Sequence, residues 1–198
     1  MSEKSEKLIY VSSVVLGSFN PAILSPKWFV SIGMLEEGQN VRIEGRIGFG
    51  GPQPLKAKTE KFNWTVGNNR FELELNPNFL NEVSFLGEMI KSTFSALHFT
   101  PMQALGFNFY FELPQILPAP FGKGNYDFID KFHLIGRSNR LRFEFEGFDS
   151  YLEINDFNKE VRFNYERKTQ SVDEIIDFAG TGSKCLDNAK YICSELIT

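Results

Sequence analysis

The chain has 198 residues, 42% of them apolar and 23% charged, which excludes disordered and fibrous classes and is long enough to bury a core without disulfides or a structural metal. Its 21 Lys and Arg against 25 Asp and Glu give a net charge of -4, the wrong sign for a protein that lives on phosphate backbones. Arg137, Arg140 and Arg142 come nearest to a basic patch, but Asp127, Asp130, Glu144 and Glu146 surround them, which argues against nucleic acid as a partner.

Phenylalanine is the outlying residue: 21 Phe stand beside 6 Tyr and 2 Trp, predicting a core of large rings with no polar tip to satisfy. Cys185 and Cys193, the only cysteines, are eight residues apart in a predicted C-terminal helix. That spacing is about 12 Å of helix rise, beyond the reach of a disulfide, so two reduced thiols in a cytoplasmic chain are expected. There is no second cysteine pair and His98 and His133 lack ligand spacing, so no metal or cofactor is expected. Met1 to Lys7 is polar, and Ser12 and Ser13 interrupt the apolar run behind it, which fits neither a signal peptide nor a membrane span.

Leu8 to Phe19, rich in β-branched residues, predicts a buried first strand ended by Asn20-Pro21. Ser25-Pro26 offers an N-cap and a first-turn proline to a short helix carrying Trp28, Phe29 and Ile32. Val41 to Ile47 alternates as a half-solvated strand, and residues 48–54 form a Gly/Pro loop. Phe62 to Val66 and Arg70 to Leu75 make a hairpin around Gly67-Asn68-Asn69, with Phe71, Leu73 and Leu75 inward and Glu72 and Glu74 toward water. Phe79, Val83, Leu86, Ile90, Phe94 and Leu97 recur at helical spacing and predict a major core helix, which Thr100-Pro101 stops. Leu105, Phe107, Phe109 and Phe111 then alternate as a strand.

Pro114 to Gly124 reads as an apolar loop and as the one place where the composition offers a subdivision of a single domain, 1–198. A weak helix over Tyr126 to Ile135 precedes three strand-like runs: Arg140 to Phe148, Tyr151 to Ile154 and Val161 to Tyr165. Ser171 and Glu174 form a capping box for a final helix that Gly180-Thr181-Gly182 interrupts before Cys185 to Ile197. Strand runs followed by a helix thus occur twice. The expected fold is α+β: a mostly antiparallel, curved sheet packed on a long central helix, with a C-terminal helix.

No stretch fixes a chemistry. The glycines at 48–51 neither open a helix nor end in Gly-Lys-Ser/Thr, so a turn is expected rather than a phosphate cradle. The pairs Glu72/Glu74 and Glu144/Glu146 alternate with Phe and Leu, which predicts solvated strand faces rather than a catalytic cleft. His98, at the end of the long helix, reads as a capping or partly buried structural residue. His133 with Asp130 reads as a surface pair.

The remaining lead is the set of Phe residues in or near loops: Phe49, Phe99, Phe121, Phe128, Phe148 and Phe157. Clustered on the surface, some of them would mark a partner or ligand site.

The stretch from Phe94 to Asn108, a helix ending in Thr100-Pro101 and leading to a strand with Ala104-x-Gly106-x-Asn108, resembles a pattern in uncharacterised bacterial proteins of similar size. Phe62 to Leu75 is similar to the strand before their helix. The resemblance implies a bacterial or phage-borne cytoplasmic protein and brings no catalytic residues.

The functional expectation is a non-enzymatic interaction or assembly protein that binds itself or another protein through an apolar edge, with Ile116 and Phe121 as contacts. The alternative is a small-molecule binder or enzyme with a Phe-lined pocket whose polar groups come from His98, Tyr110, Asp130 and His133.

Overall fold

A computed structural model describes residues 5–21, 23–44, 54–114, 140–155 and 159–197. The predicted Gly48 to Gly51 turn, the Tyr126 to Ile135 helix and the candidates Ile116, Phe121, Asp130 and His133 lie outside the described residues, as does the Pro114 to Gly124 loop beyond Pro114 itself.

Among the described residues the chain is α+β, with nine strands in one antiparallel sheet and four α-helices. The strands are β1 (Lys7–Gly17), β2 (Arg42–Glu44), β3 (Leu55–Lys58), β4 (Phe62–Val66), β5 (Arg70–Leu75), β6 (Met102–Glu112), β7 (Arg140–Phe145), β8 (Phe148–Asn155) and β9 (Glu160–Lys168). The helices are α1 (Pro26–Ser31), α2 (Val83–Ala96), α3 (Val172–Ala179) and α4 (Gly182–Ile197). The strand order is β2-β3-β4-β5-β1-β6-β9-β8-β7. Each half has the same plan: a leading strand, β1 or β6, then a meander whose last strand, β5 or β9, pairs with the leader, then helix. The two leaders pair with each other at the centre.

Register explains where the core sits. One row across the sheet reads Ile43, Ala57, Trp64, Leu73, Ser13, Phe107, Tyr165, Ser150, Phe143. All of these but the edge residue Ile43 are buried. The adjacent row reads Arg42, Lys58, Asn63, Glu74, Ser12, Asn108, Asn164, Tyr151, Arg142. Because side chains alternate across a strand, one face is apolar and the other predominantly polar, with Val14, Leu16 and Ala104 as its apolar members in the central strands.

The helices cover the apolar face. Phe85 of α2 meets Phe62, Phe94 meets Phe71 edge-on at 5.7 Å, Phe178 of α3 meets Phe148, and Phe29 of α1 meets Trp64 at 4.9 Å. The Tyr165 hydroxyl, one of the polar-tipped rings in a Phe-rich core, donates to Asn188 Oδ1 of α4 at 2.8 Å.

The predicted N-caps are present, Ser25 Oγ accepting from Trp28 N and Ser171 Oγ from Glu174 N, but Ser171 N donates to Thr169 Oγ1 in place of the second arm of a capping box. Three expectations change. The Leu55-Lys56-Ala57-Lys58 segment forms a strand between β2 and β4. Arg140 to Phe148 is not one strand, because Glu146 (φ 52°) and Gly147 (φ 76°) turn the chain into the β7–β8 hairpin. The expected long helix, α2, shares the face with α3 and the C-terminal helix α4, which is the longer at 16 residues against 14.

Two local defects yield predictions. Glu146 holds a left-handed conformation that costs a non-glycine side chain roughly 1–2 kcal/mol and that asparagine tolerates better. Glu146→Asn is expected to stabilise the fold by roughly 0.5 kcal/mol in urea denaturation. Ser13 Oγ and Thr93 Oγ1 are buried without a hydrogen-bond partner. Thr93→Val keeps the shape and removes the unpaired hydroxyl, so the urea midpoint is expected to rise by an amount equivalent to roughly 1 kcal/mol.

Candidate functional site

The polar face and a cleft at one end of the sheet are the two places where the fold offers surface for function. On the polar face, Asn164 Nδ2 donates to Asn108 Oδ1 at 2.7 Å, Asn108 Nδ2 donates to Ser12 Oγ at 3.1 Å, and the Tyr10 hydroxyl donates to Glu72 Oε1 at 3.1 Å. Tyr10 stacks on Tyr110 with centroids 4.6 Å apart, and the Arg162 guanidinium lies 4.9 Å over the Tyr110 ring. Burial pushes the Tyr10 phenol well above its ordinary range, while the adjacent Ser12 hydroxyl acts in the opposite sense. A phenol so placed is a poor proton donor.

The cations here meet anions on the same face. Arg142 makes a two-pronged contact with Asp149, Arg162 reaches Glu160 at 2.6 Å, Arg70 reaches Glu72 at 3.2 Å and Lys58 reaches Glu44 at 3.0 Å. Glu72 and Glu74 are therefore half-buried members of this ladder rather than solvated carboxylates. Burial holds the Glu74 carboxyl above its usual range. Between the ordinary carboxylate range and that raised value the folded chain binds more protons than the unfolded one, so this group's contribution to stability falls as pH rises through that window. Glu74→Gln is expected to flatten that part of the stability-pH curve, measured by denaturation midpoints from acid to neutral pH.

The cleft is built where β1 runs out beside the end of α2. Phe19 N donates to Asn68 O at 2.8 Å and Gly17 N to Asn69 O at 3.2 Å, tying the segment after β1 to the tip of the β4–β5 hairpin. Ser18 N donates to Pro101 O at 2.9 Å and ties the same segment to the start of β6. Gly17 is required for that approach, since a Cβ there would stand 2.5 Å from Pro101 O. Farther along, the Trp64 indole N–H donates to Leu24 O at 3.2 Å. On the other side α2 closes with Leu97 N donating to Phe94 O, and Thr100 N donates to Leu97 O. That tight turn leaves His98 and Phe99 projecting ahead of Pro101.

The resulting cleft has a volume of about 340 Å³. Phe19 and Leu24, 7% and 1% exposed, form its deep wall, and Phe19 continues into the core against Phe94. Ile23 (43% exposed) and Phe99 (88% exposed) lie at its mouth, with the His98 ring 3.9 Å from that of Phe99. Ser18, Asn20 and Thr100 add neutral polar groups; among the described residues no carboxylate, lysine or arginine lines the cleft. An apolar concavity with a few polar groups is the ordinary form of a binding site, here at the lower end of the size range for small-molecule pockets.

Of the residues picked from sequence, His98 lines this cleft and Tyr110 lies on the polar face. Tyr110 lies eight positions along β6 from Met102, about 26 Å of strand, so His98 and Tyr110 do not share a pocket. His98 is exposed rather than partly buried, because the helix has already ended at Ala96 and Leu97 takes the capping position. Phe148, grouped with the loop aromatics, is a fully buried residue of β8. Phe19, Ile23 and Leu24 carry no site signal in sequence and Leu97 reads only as part of the helix's core stripe; the local signals for the site are His98 at the helix end and Phe99 in the helix-stop segment.

No family model matches the chain, and no curated protein matches it. Among the described residues no helix is long and apolar enough to cross a membrane.

Proposed function

We propose that the protein is a non-enzymatic interaction protein that receives an apolar side chain of a protein partner in the cleft at the end of α2. The observation that carries this reading is Phe99: a phenylalanine 88% exposed, at the mouth of an apolar cleft, in a chain whose other described phenylalanines are buried or half-buried. Full burial of such a side chain is worth about 2–3 kcal/mol, which folding leaves unused here and a partner would recover. An exposed lip favours a broad partner surface over a small molecule, which a pocket encloses over most of its area.

Two buried free thiols support a cytoplasmic setting, with burial pushing the Cys185 thiol up to about 12.

Selection of a random-peptide library on the full chain tests the reading. Bound peptides are expected to share an aromatic or aliphatic anchor and to lose at least about tenfold in affinity against Phe99→Ser. Peptides that bind the variant as well as the parent, or no enrichment at all, would overturn it.

A further inference from the structure

We propose that the polar face carries a second site: a depression over Gly106 that takes a small ammonium ion with a hydroxyl on the neighbouring carbon, the chemistry of a simple amino alcohol. The depression is the place of a missing side chain. Strand alternation puts position 106 on the same face as Ala104 and Asn108, with Val14 of β1 on one side and Glu166 of β9 on the other. A Cβ there would stand 3.1 Å from Tyr165 O and 4.0 Å from Asn164 Nδ2. The glycine leaves a space of about 100 Å³, room for about three water-sized groups.

Charge selects a cation. Glu44, Glu72, Asp149 and Glu160 each have a lysine or arginine partner, and Lys56 draws on Glu74. Glu166, half-buried on the rim of the depression, has neither an ion-pair nor a hydrogen-bond partner for its carboxylate among the described residues. Asp149, opposite it on β8, is itself an anion and is held by Arg142. Lys168, the next side chain on this face of β9, is exposed and makes no ion pair with Glu166. Arg70, on the far rim, is held by Glu72 at 3.2 Å. The uncompensated charge of the depression is therefore negative, and an ammonium group supplies both the charge and the donors that Glu166 lacks.

The amide beside it selects the hydroxyl. Asn164, two residues from Glu166, donates one Nδ2 hydrogen to Asn108 Oδ1 at 2.7 Å, and Asn108 Nδ2 donates to Ser12 Oγ at 3.1 Å, which fixes the way both amides face. The second hydrogen of Asn164 Nδ2 has no partner among the described residues and borders the open space. Positions two apart on a strand are about 6.6 Å apart, a span that a nitrogen and an oxygen on adjacent carbons bridge with one hydrogen bond at each end. Val14, Leu16 and Ala104 wall the carbons.

This site does not rest on the cleft reading, and either can fail without the other. Titration of the full chain with ethanolamine, followed by amide chemical shifts, tests it. Saturable shifts are expected at Val14, Ala104, Gly106, Glu166 and the Asn164 side-chain amide, with a dissociation constant in the millimolar range. Propylammonium, which lacks the hydroxyl, and ethylene glycol, which lacks the charge, are each expected to bind more weakly to the same parent protein. Glu166→Gln, which keeps the shape and removes the charge, is expected to weaken ethanolamine roughly fivefold or more. No saturable shifts up to about 50 mM, ethylene glycol or propylammonium binding as well as ethanolamine, or a folded Glu166→Gln with unchanged affinity would overturn the inference.

Discussion

Replacing Trp64 by alanine is expected to cost about 3–5 kcal/mol, the largest single-site loss in the molecule. Trp64 is fully buried on β4, between Ala57 and Leu73 in the apolar row, and its ring meets Phe29 at 4.9 Å and Phe62 at 5.7 Å. Truncation removes the ring and opens a cavity that Phe29, held by the short helix α1, cannot collapse to fill. It also strips the Leu24 carbonyl of its indole donor, on the strut that carries the cleft wall. Against a total stability of roughly 5–15 kcal/mol, such a loss leaves a marginal protein. Trp64→Phe separates the two contributions: it keeps most of the packing, leaves Leu24 O unpaired, and is expected to cost about 1–2 kcal/mol. Equal losses for the two variants in urea denaturation would contradict this division.

The second large effect is expected at Gly87. α2 and α3 cross with Gly87 against Ala179, and a Cβ on Gly87 would stand 2.3 Å from the Ala179 carbonyl oxygen. The obstacle is backbone inside a packed helix pair, so no side chain can swing aside and the helices must separate. An added methyl group would bring roughly 1 kcal/mol of helix propensity, yet overpacking costs roughly 1–3 kcal/mol or more, and the clash is expected to win. Gly87→Ala should lower the melting temperature by roughly 3–8 °C, and Gly87→Val by more, whereas an unchanged or higher value would show that the crossing yields easily. Gly182, whose Cβ would meet Phe107 at 2.9 Å and Val83 at 3.1 Å, marks the next contact of the same layer and should respond less, because a ring edge and a methyl group can shift.

Much of the architecture was legible because period and burial agree along single strands. Phe71, Leu73 and Leu75 alternate with Glu72 and Glu74, and Leu105 to Phe111 alternates likewise, so both strands and their inward faces could be read directly. The caps at Ser25 and Ser171 were equally local. β3 was missed because it has four residues, two of them lysines whose polar face is shared with neighbours rather than open to water. The β7–β8 turn was missed because glutamate rarely adopts positive φ, which left Gly147 as the single turn residue in the two-residue loop between Phe145 and Phe148. Strand order was beyond reach, since the central β1–β6 pair joins residues nearly a hundred positions apart.

The cleft divides in the same way. Phe99 stood out in sequence as an aromatic residue outside any predicted element, and His98 as a residue at a helix end. Phe19, by contrast, looks like the end of a strand. It becomes the deep wall only because the backbone links from Phe19 to Asn68 and from Ser18 to Pro101 bring three segments together. No periodicity within one segment carries that information.

The most direct test of the central claim, that this cleft accepts an apolar side chain, is amide chemical-shift mapping of the full chain titrated with N-acetyl-phenylalaninamide. The predicted result is a saturable set of shifts concentrated at Ser18, Asn20, Leu97, His98 and Thr100 and absent in Phe99→Ser. Shifts centred instead on Asn108, Tyr110 and Asn164 of the polar face, or none at the solubility limit of the probe, would contradict it.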